Sequence, residues 1–288
     1  MLVNIPYNLP AVEILKKENI AIDSPRKMRK IRIALLNLMP LKIATETDFI
    51  RLLSNNPVTI SLDFIKLRTH KSKNTQEEHL STFYKYFDEI RNKHYDGMII
   101  TGAPIELLEF EDVTYWKELQ KIFNWAATNV TSTLYICWAA QAALYHLYGI
   151  KKYPLEKKMS GVFKHTVSKP QISLFRGFDD EFYIPHSRYT EIRKEDILRI
   201  PELELLSESV EAGVYIVMSR SGREFYMTGH SEYASDTLHN EYMRDIAKGL
   251  SVEMPANYYH NNDIKNGICA RWHAHANLLF INWLNYYV

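Results

Sequence analysis

The sequence predicts an α/β fold whose mostly parallel sheet carries helices on both faces. In roughly the first half of the chain, short apolar runs of β type alternate with stretches of helical periodicity. Strand, helix, strand and helix in this order imply parallel strands joined by helices that cover the sheet. After Gly149 the rhythm changes to shorter β-type pieces. We therefore expect one domain over residues 1–288, with additional β and helical segments in its second half.

Four strands and four helices are predicted before Gly149. Thr45 is expected to cap the first helix, since Glu46 and Asp48 suit the positive end of a helix. Gly149 is typical of the residue that ends a helix. The predicted strands are 31–38, 58–67 and 134–136, together with a strand that runs into a glycine-bearing loop within 95–104. The predicted helices are 45–54, 75–90, 113–127 and 138–148.

The second half is predicted to be less regular and richer in β structure. Its β-type pieces are 161–167, 181–185, 213–219 and 224–228. Two helices are predicted at 236–250 and 276–287, separated by a polar, turn-rich stretch at 252–267.

Composition excludes several classes of protein. The chain has 288 residues, of which 46% are apolar, and a formal charge of +1, so no nucleic-acid partner is predicted. Cys137 and Cys269 give no disulfide framework and fit a reducing compartment. The start of the chain lacks the apolar core of a secretory signal, and no run approaches the length of a membrane span. These features predict a cytoplasmic location and no membrane contact.

Cys137 lies where a predicted strand turns into a predicted helix. Leu134 to Ile136 suit a buried strand, and helical spacing begins at Trp138. A side chain at such a turn is lifted above the sheet, where the dipole and unpaired N–H groups of the following helix favour a thiolate. Cysteine is also often a small core hydrophobe, so a structural role for Cys137 is equally open at this point.

A nucleophilic cysteine needs a base and a group that orients this base. His230 and Glu232 follow a predicted strand at a spacing of two residues, so in an extended segment their side chains point the same way. The carboxyl ends of parallel strands converge, so His230 could meet Cys137 there. A Cys–His–Glu triad is one interpretation, and a surface His–Glu pair is the alternative.

A metal site is disfavoured by the sequence. Cys269, His273 and His275 are close together, but their spacing matches no common zinc pattern and leads directly into an amphipathic helix. We predict no metal and no cofactor.

The chain resembles the homoserine O-acyltransferase family, which comprises homoserine O-succinyltransferases and O-acetyltransferases of methionine biosynthesis. The resemblance covers nearly the whole chain in order. Its motifs are L-N-L-M-P-L-K, L-L-S-N-N-P, S-K-N-T-Q-E-E-H-L, Y-D-G-M-I-I-T-G-A-P-I-E, C-W-A-A-Q-A-A-L-Y, G-V-F-K-H, P-H-S-R-Y-T-E, T-G-H-S-E-Y and N-W-L-N-Y-Y. The resemblance implies a flavodoxin-like sheet related to the class I glutamine amidotransferases, a homodimer, and L-homoserine and an acyl-CoA as small-molecule substrates.

The resemblance also implies roles for individual residues. Cys137 corresponds to the cysteine that carries the acyl group, His230 to the base and Glu232 to the carboxylate that orients it. We expect the backbone N–H of Trp138, with an N–H of the 102–106 loop, to hold the oxyanion. Ser231 stands where the family commonly has proline, a departure that removes no reacting group.

The same resemblance implies the residues that contact the substrates. Homoserine contacts fall on Lys158, Ser187 and Arg244, and Lys42 corresponds to a lysine near the acyl-CoA site. Arg244 offers a bidentate fork for a carboxylate, and Glu241, three residues before it on the predicted helix, is expected to hold that fork in place. Without the family, an exposed Glu241–Arg244 ion pair is the default interpretation.

Glu106 matches the position where family members carry either glycine or glutamate. A glutamate there would repel the terminal carboxylate of succinyl-CoA, so acetyl-CoA is the predicted donor. Alternatively, Glu106 points to solvent and succinyl-CoA is used. Two other classes also stay open, a glutamine amidotransferase-like hydrolase and a non-catalytic binding protein.

Overall fold

The structure is a computed structural model that describes residues 30–70 and 74–288. These residues contain a ten-stranded sheet. Its strands are β1 (Lys30–Leu36), β2 (Thr59–Lys66), β3 (Tyr84–Tyr86), β4 (Tyr95–Ile100), β5 (Val130–Ile136), β6 (Tyr153–Val167), β7 (Glu181–Glu191), β8 (Leu203–Ser209), β9 (Gly213–Ser219) and β10 (Glu224–Met227). Their order across the sheet is β3-β2-β1-β4-β5-β10-β9-β8-β6-β7.

The sheet has a parallel half and an antiparallel half that meet at β10. All neighbours from β3 to β10 pair in parallel. The pairs β10–β9, β9–β8, β8–β6 and β6–β7 are antiparallel. The carboxyl ends of β4, β5 and β10 therefore lie at one edge, which is where ligand sites form in parallel sheets.

Helices cover both faces of the parallel half, as the sequence predicted. The α-helices of residues 30–70 and 74–288 are α1 (Lys42–Ser54), α2 (Glu77–Phe83), α3 (Phe87–Ile90), α4 (Trp116–Asn129), α5 (Trp138–Tyr148), α6 (Lys194–Leu198), α7 (Thr237–Ala247) and α8 (His273–Tyr286). Of these, α6 packs on β8 and β9 in the antiparallel half. Strand β1 shows the division: Ala34 and Leu36 pack with α4 and α5, whereas Ile33 and Leu35 pack with α1 and α8. Alternate residues of a strand face opposite sides, so both faces of β1 are apolar from Ile33 to Leu36, whereas Lys30 and Arg32 near its start are exposed.

Two local predictions in the first half were wrong. The first helix begins at Lys42, and Thr45 lies inside it, where its hydroxyl donates to the Leu41 carbonyl instead of capping. The predicted helix 75–90 is interrupted by β3, because Tyr84 pairs with Phe64 of β2 and its hydroxyl is held by Asn37. These tertiary contacts override the helical periodicity of the segment.

Two strands of the second half are longer than predicted, and β8 was not predicted. β6 begins at Tyr153, and β7 continues past Pro185 to Glu191. The added part of β7 buries polar side chains such as Ser187 and Arg188, so it lacks the apolar alternation of an ordinary strand. None of the helices in residues 30–70 and 74–288 has the length and hydrophobicity that crossing a membrane requires.

Candidate active site

Cys137 forms a sharp elbow between β5 and α5. Its backbone has φ 52° and ψ −117°, a conformation that residues other than glycine rarely adopt. The elbow is held on both sides: the Cys137 N–H donates to the Met227 carbonyl at 2.6 Å, and the Cys137 carbonyl accepts from the Ala140 N–H at 3.0 Å. A strained strand-to-helix turn of this kind is typical of nucleophiles that project above a sheet.

Gly102, in the loop after β4, lies directly against this elbow. A Cβ atom at Gly102 would be 3.1 Å from Cys137 Cβ and 3.6 Å from the Trp138 backbone nitrogen. A side chain at this position would therefore crowd the elbow, and glycine lets the loop backbone approach it closely. The backbone N–H of Trp138 is at the start of α5, where N–H groups point away from the helix and can bind an anion.

His230 and Glu232 follow β10 and are brought together in a buried turn. His230 Nδ1 donates to Glu232 Oε1 at 2.7 Å, and the His230 backbone N–H donates to the Pro185 carbonyl at 2.8 Å. The imidazole stacks on Tyr233 with 4.1 Å between ring centroids. The spacing of two residues does place the side chains on one side, although the segment is a turn rather than a strand.

The charges around His230 favour its protonated form. Burial alone would lower the pKa of His230, but Cys137 and Glu232 outweigh it and raise this pKa well above the ordinary value. Glu232 Oε2 is buried and accepts no hydrogen bond from the described residues. The arrangement can therefore pair an imidazolium with a thiolate and move one proton between Cys137 and a substrate.

One cavity of about 430 Å³ brings most of the predicted site residues together. It opens beside the elbow, and polar residues of β6, β7 and α7 face the loop after β4. The predicted residues that line it are Cys137, His230, Glu106, Lys158, Ser187 and Arg244.

Lys42 does not reach the cavity. Its ammonium group is buried and donates to the carbonyls of Asn37 at 2.7 Å and Met39 at 2.9 Å. Burial lowers the pKa of Lys42 to about 8, although Glu46 opposes this. Met39 does line the cavity, so Lys42 supports the wall from behind.

Glu241 is a site residue to which sequence reasoning gave only a supporting part. Its carboxylate accepts from the hydroxyls of Ser187 and, at 3.0 Å, Tyr233, and it lies 3.8 Å from Lys158 Nζ. Arg244 does not pair with Glu241 as predicted but with Asp245, at 2.7 Å between Nη2 and Oδ1.

The reason for this difference is the direction in which each side chain of α7 points. Glu241 turns toward β7, where it accepts from the Ser187 hydroxyl. The carboxylate of Asp245, adjacent to Arg244 in the chain, accepts from both Arg244 and Lys158 of β6. The sequence did contain a signal for these residues, namely the helical spacing of the polar side chains on α7 and just after it that line the cavity. These are Glu241, Arg244, Asp245 and Lys248.

Glu106 faces the cavity and not solvent alone. Burial raises the pKa of Glu106, while the positive charges of His230 and Lys158 lower it and Glu241 raises it. Glu106 therefore lines the same cavity as Cys137.

The two histidines considered for a metal have other partners. His273 contacts the Ser235 hydroxyl at 2.9 Å, and His275 pairs with Asp179 at 3.3 Å. Within residues 30–70 and 74–288, no group of three or more histidine, cysteine, aspartate or glutamate residues is arranged to hold a metal ion.

Solved structures with a similar fold include glutamine amidotransferases. One from Thermotoga maritima has a TM-score of 0.59 and 13% identity, with 88% of this chain and 96% of that chain covered. Another, from Methylobacillus flagellatus, has a TM-score of 0.56 and 11% identity, with 90% and 95% covered. At these identities the likeness concerns the fold, and it confirms the predicted amidotransferase-like architecture.

Sequence comparison identifies much nearer relatives. A protein of Azobacteroides pseudotrichonymphae named homoserine O-acetyltransferase is 62% identical over 293 residues, covering 100% of this chain and 93% of the relative. One of Bacteroides thetaiotaomicron with the same name is 61% identical, covering 100% and 96%. The sequence model of the homoserine O-succinyltransferase family matches residues 2–288. The chain therefore belongs to the homoserine O-succinyltransferase family of acyltransferases, which confirms the resemblance seen in its motifs.

Proposed function

We propose that this protein is a homoserine O-acetyltransferase of methionine biosynthesis that works through an acetyl-cysteine on Cys137. The observation that carries the proposal is the single cavity in which Cys137 meets both His230 and Glu106. The names of the relatives, homoserine O-acetyltransferase, support the acetyl donor. The elbow suits a covalent intermediate, because a thiolate lifted above the sheet can attack the carbonyl of a thioester.

In the first step the Cys137 thiolate attacks the thioester carbonyl of acetyl-CoA. The oxyanion of the tetrahedral intermediate would be held by the Trp138 backbone N–H and by an N–H of the 102–106 loop. As the carbon–sulfur bond of the thioester breaks, His230 gives its proton to the departing CoA sulfur. Cys137 is then acetylated, and His230 is neutral.

In the second step homoserine takes the place of CoA. Its hydroxyl oxygen attacks the acetyl carbonyl while His230 Nε2 accepts the hydroxyl proton, since Nδ1 donates to Glu232. When the intermediate collapses, the bond between Cys137 sulfur and the acetyl group breaks. The products are O-acetylhomoserine and the starting thiolate–imidazolium pair, so atoms and charges balance over the two steps.

The polar wall of the cavity suits an amino acid. Arg244 and Lys158 are cations that can meet a carboxylate, and the Ser187 hydroxyl offers a further contact. Lys158 is anchored by Asp245 at 2.8 Å, so its ammonium group is held in a fixed place before a substrate arrives. We propose that these three side chains position homoserine.

The principal test compares acyl donors with purified protein. We expect O-acetylhomoserine to form from acetyl-CoA and L-homoserine, and succinyl-CoA to be a poorer donor. Preference for succinyl-CoA would contradict the acetyl assignment, and glutamine hydrolysis without homoserine would favour an amidotransferase-like hydrolase.

The covalent intermediate has its own measurement. Protein mixed with acetyl-CoA alone should gain the mass of one acetyl group, and Cys137→Ser should abolish the gain. Cys269→Ser is the matched control, because the other cysteine does not line the cavity. No adduct on protein that turns over would exclude the acetyl-cysteine. A cytoplasmic location and the lack of a cofactor stay predictions of the sequence, and a homodimer stays a prediction of the family resemblance.

A further inference from the structure

Arg188 of β7 is a buried cation close to the proposed nucleophile. Its side chain is 1% exposed. Its guanidinium donates to the backbone carbonyls of Thr190, at 2.7 Å, and Ala212. None of the ion pairs found in residues 30–70 and 74–288 includes Arg188, although Glu191 acts on it electrostatically. Because a buried charge is costly without an opposite charge, the placement of Arg188 needs an explanation.

Two neutral histidines fix the orientation of Arg188. His165 Nδ1 lies 2.9 Å from the Phe163 carbonyl, so this nitrogen must carry a proton and donate it. His165 Nε2 is then an acceptor, and His186 Nε2 donates to it at 3.1 Å. His186 Nδ1 is in turn the acceptor that faces Arg188 Nε at 3.4 Å. Each hydrogen bond in this chain determines the next.

Both imidazoles stay neutral because they are buried. Burial lowers the pKa of His165 to about 4, with the Phe163 carbonyl opposing it and Arg188 adding to it. Burial also lowers the pKa of His186 well below its ordinary value, and the positive charges around it lower it further. Arginine keeps its proton in such surroundings, so the charge of the group belongs to Arg188 alone.

The guanidinium lies beside the first turn of α5. Gln141, one turn after Cys137, donates its Nε2 to the Thr190 carbonyl at 3.2 Å, and Arg188 Nη1 donates to that same carbonyl. The Thr190 hydroxyl donates back to Gln141 Oε1 at 2.7 Å. The backbone N–H of Gln141 donates to the Cys137 carbonyl at 3.3 Å, so hydrogen bonds through Gln141 and Thr190 connect Arg188 to the elbow. Burial lowers the pKa of Arg188, and charge on Cys137 raises it.

We propose that Arg188 is a positioning residue whose buried guanidinium, fixed by His186 and His165, stabilises the thiolate of Cys137 in the free enzyme. The inference deepens the proposed function and rests on Cys137 as its nucleophile. His230 supplies positive charge from the side of the cavity, and Arg188 supplies it from the interior, which substrates do not enter. Tyr233 also acts on Cys137 electrostatically. The other ionisable groups that line the cavity with Cys137 are Glu106, Lys158, Tyr189, Glu241, Arg244, Asp245 and Lys248.

The test is the pH dependence of Cys137 alkylation by iodoacetamide, without acyl-CoA or homoserine. The Cys137 peptide is quantified by mass spectrometry, so that Cys269 does not contribute. Two neutral variants, Arg188→Gln and Arg188→Met, guard against misfolding in one of them, and circular dichroism checks the fold. Arg188→Lys retains the charge.

We expect the midpoint of the alkylation curve to move up by about one pH unit or more in each neutral variant, which slows alkylation about tenfold at pH values below both midpoints. Arg188→Lys should stay closer to the wild type. The matched control is Arg223→Gln, since Arg223 also donates to a carbonyl, that of Val130, at the far end of β5. An unchanged midpoint in a folded neutral variant, or an equal shift in Arg223→Gln, would overturn the proposal.

The outcomes separate this inference from the proposed function. If the protein transfers no acetyl group but the Arg188 variants shift the alkylation midpoint of Cys137, the proposed function is wrong and the inference stands. If the protein transfers acetyl and the Arg188 variants leave that midpoint unchanged, the function stands and the inference is wrong.

Discussion

Glu232 Oε1 accepts a hydrogen bond from His230 Nδ1 at 2.7 Å, and both side chains are buried. The bond fixes which nitrogen of the imidazole carries a proton in the neutral form, and it leaves Nε2 as the nitrogen available to Cys137. The carboxylate also stabilises the imidazolium electrostatically, since it raises the pKa of His230 against the effect of burial. Orientation and charge are therefore supplied by one residue.

Replacing Glu232 by glutamine separates these two contributions. Glu232→Gln can still accept from Nδ1 but carries no charge, so the pKa of His230 should fall and the imidazolium should be lost at lower pH. We expect kcat for acyl transfer to fall by about 10²–10⁴, measured across a pH series. Glu46→Gln is the control, because Glu46 makes a comparable 3.0 Å contact with His79 away from the cavity. A loss no larger than that of the control would show that the charge of Glu232 is dispensable.

Gly229 is required by the close packing behind His230. A Cβ atom there would lie 2.7 Å from Ile184 Cγ2 and 2.8 Å from His186 Nε2. Gly229→Ala must displace either these side chains or the backbone that presents His230. We expect kcat/KM to fall about 100-fold, since a misplacement of about 1 Å has effects of that size.

Gly97→Ala is the control for Gly229→Ala. Its Cβ would meet Trp283 Cη2 at 2.8 Å, a similar clash in the core of β4. It should lower the free energy of unfolding but leave kcat of the folded protein unchanged. If Gly229→Ala reduced stability alone, with kcat intact, the packing would have no influence on the base.

Local sequence predicted the elbow and the His230–Glu232 contact because both depend on neighbouring residues. A β-type run that ends at Ile136 and helical spacing from Trp138 leave Cys137 no position except the turn. A spacing of two residues is likewise a local constraint. The same reasoning could not show which groups the ends of long polar side chains contact.

The partners of long polar side chains depend on which groups the folded chain brings near them. Lys42 follows β1, as predicted, but its ammonium group turns inward to backbone carbonyls of its own loop. Arg244 lies on the predicted helix, but its partner is Asp245, because Ser187 of a distant strand engages Glu241. Each outcome depends on tertiary competition among acceptors, for which sequence spacing offers several equivalent answers.

Two aspartates should change stability with pH in opposite directions. Burial raises the pKa of Asp48 to about 6, and the charge of Glu232 adds to this against Arg51. An unfolded aspartate titrates near about pH 4, so the folded chain binds more protons between these values. The contribution of Asp48 therefore becomes less favourable as pH rises through this window. We expect Asp48→Asn to gain about 1 kcal/mol in the free energy of unfolding at about pH 8, and less than half of that at about pH 5.

Asp63 is the counterpart. Burial would raise the pKa of Asp63, but hydrogen bonds from Lys85, at 2.6 Å, and Tyr95, at 2.7 Å, outweigh it and lower this pKa. Its stabilisation is present above the unfolded pKa and is lost as pH falls through the folded pKa. Asp63→Asn should therefore lower the free energy of unfolding, measured with urea, by about 1 kcal/mol at about pH 8.

The prediction for Asp48 can fail in a recognisable way. If Asp48→Asn raised the free energy of unfolding equally at both pH values, packing and not charge would be responsible.

Glu106 should determine the acyl donor through both its volume and its charge. Its carboxylate shares the cavity with Cys137, so a succinyl group on that sulfur would bring a second carboxylate near it. At an effective dielectric of about 20 and a separation of about 4 Å, two like charges repel by about 4 kcal/mol before relaxation. The nearby cations His230 and Lys158 reduce this repulsion, but a fraction of it still discriminates more than tenfold. An acetyl group lacks the second carboxylate.

Two substitutions divide volume from charge at this position. Glu106→Gly removes both and should raise kcat/KM for succinyl-CoA relative to acetyl-CoA by about 100-fold, whereas Glu106→Gln keeps the volume and should give a smaller change. Glu109→Gln, in the same loop but outside the cavity lining, should leave the ratio of the two donors unchanged. If glutamine and glycine shift the ratio equally, charge alone governs the choice of donor. If neither shifts it, Glu106 has no part in that choice, because a carboxylate that faces the acyl group cannot be neutralised without changing the free-energy difference between the two donors.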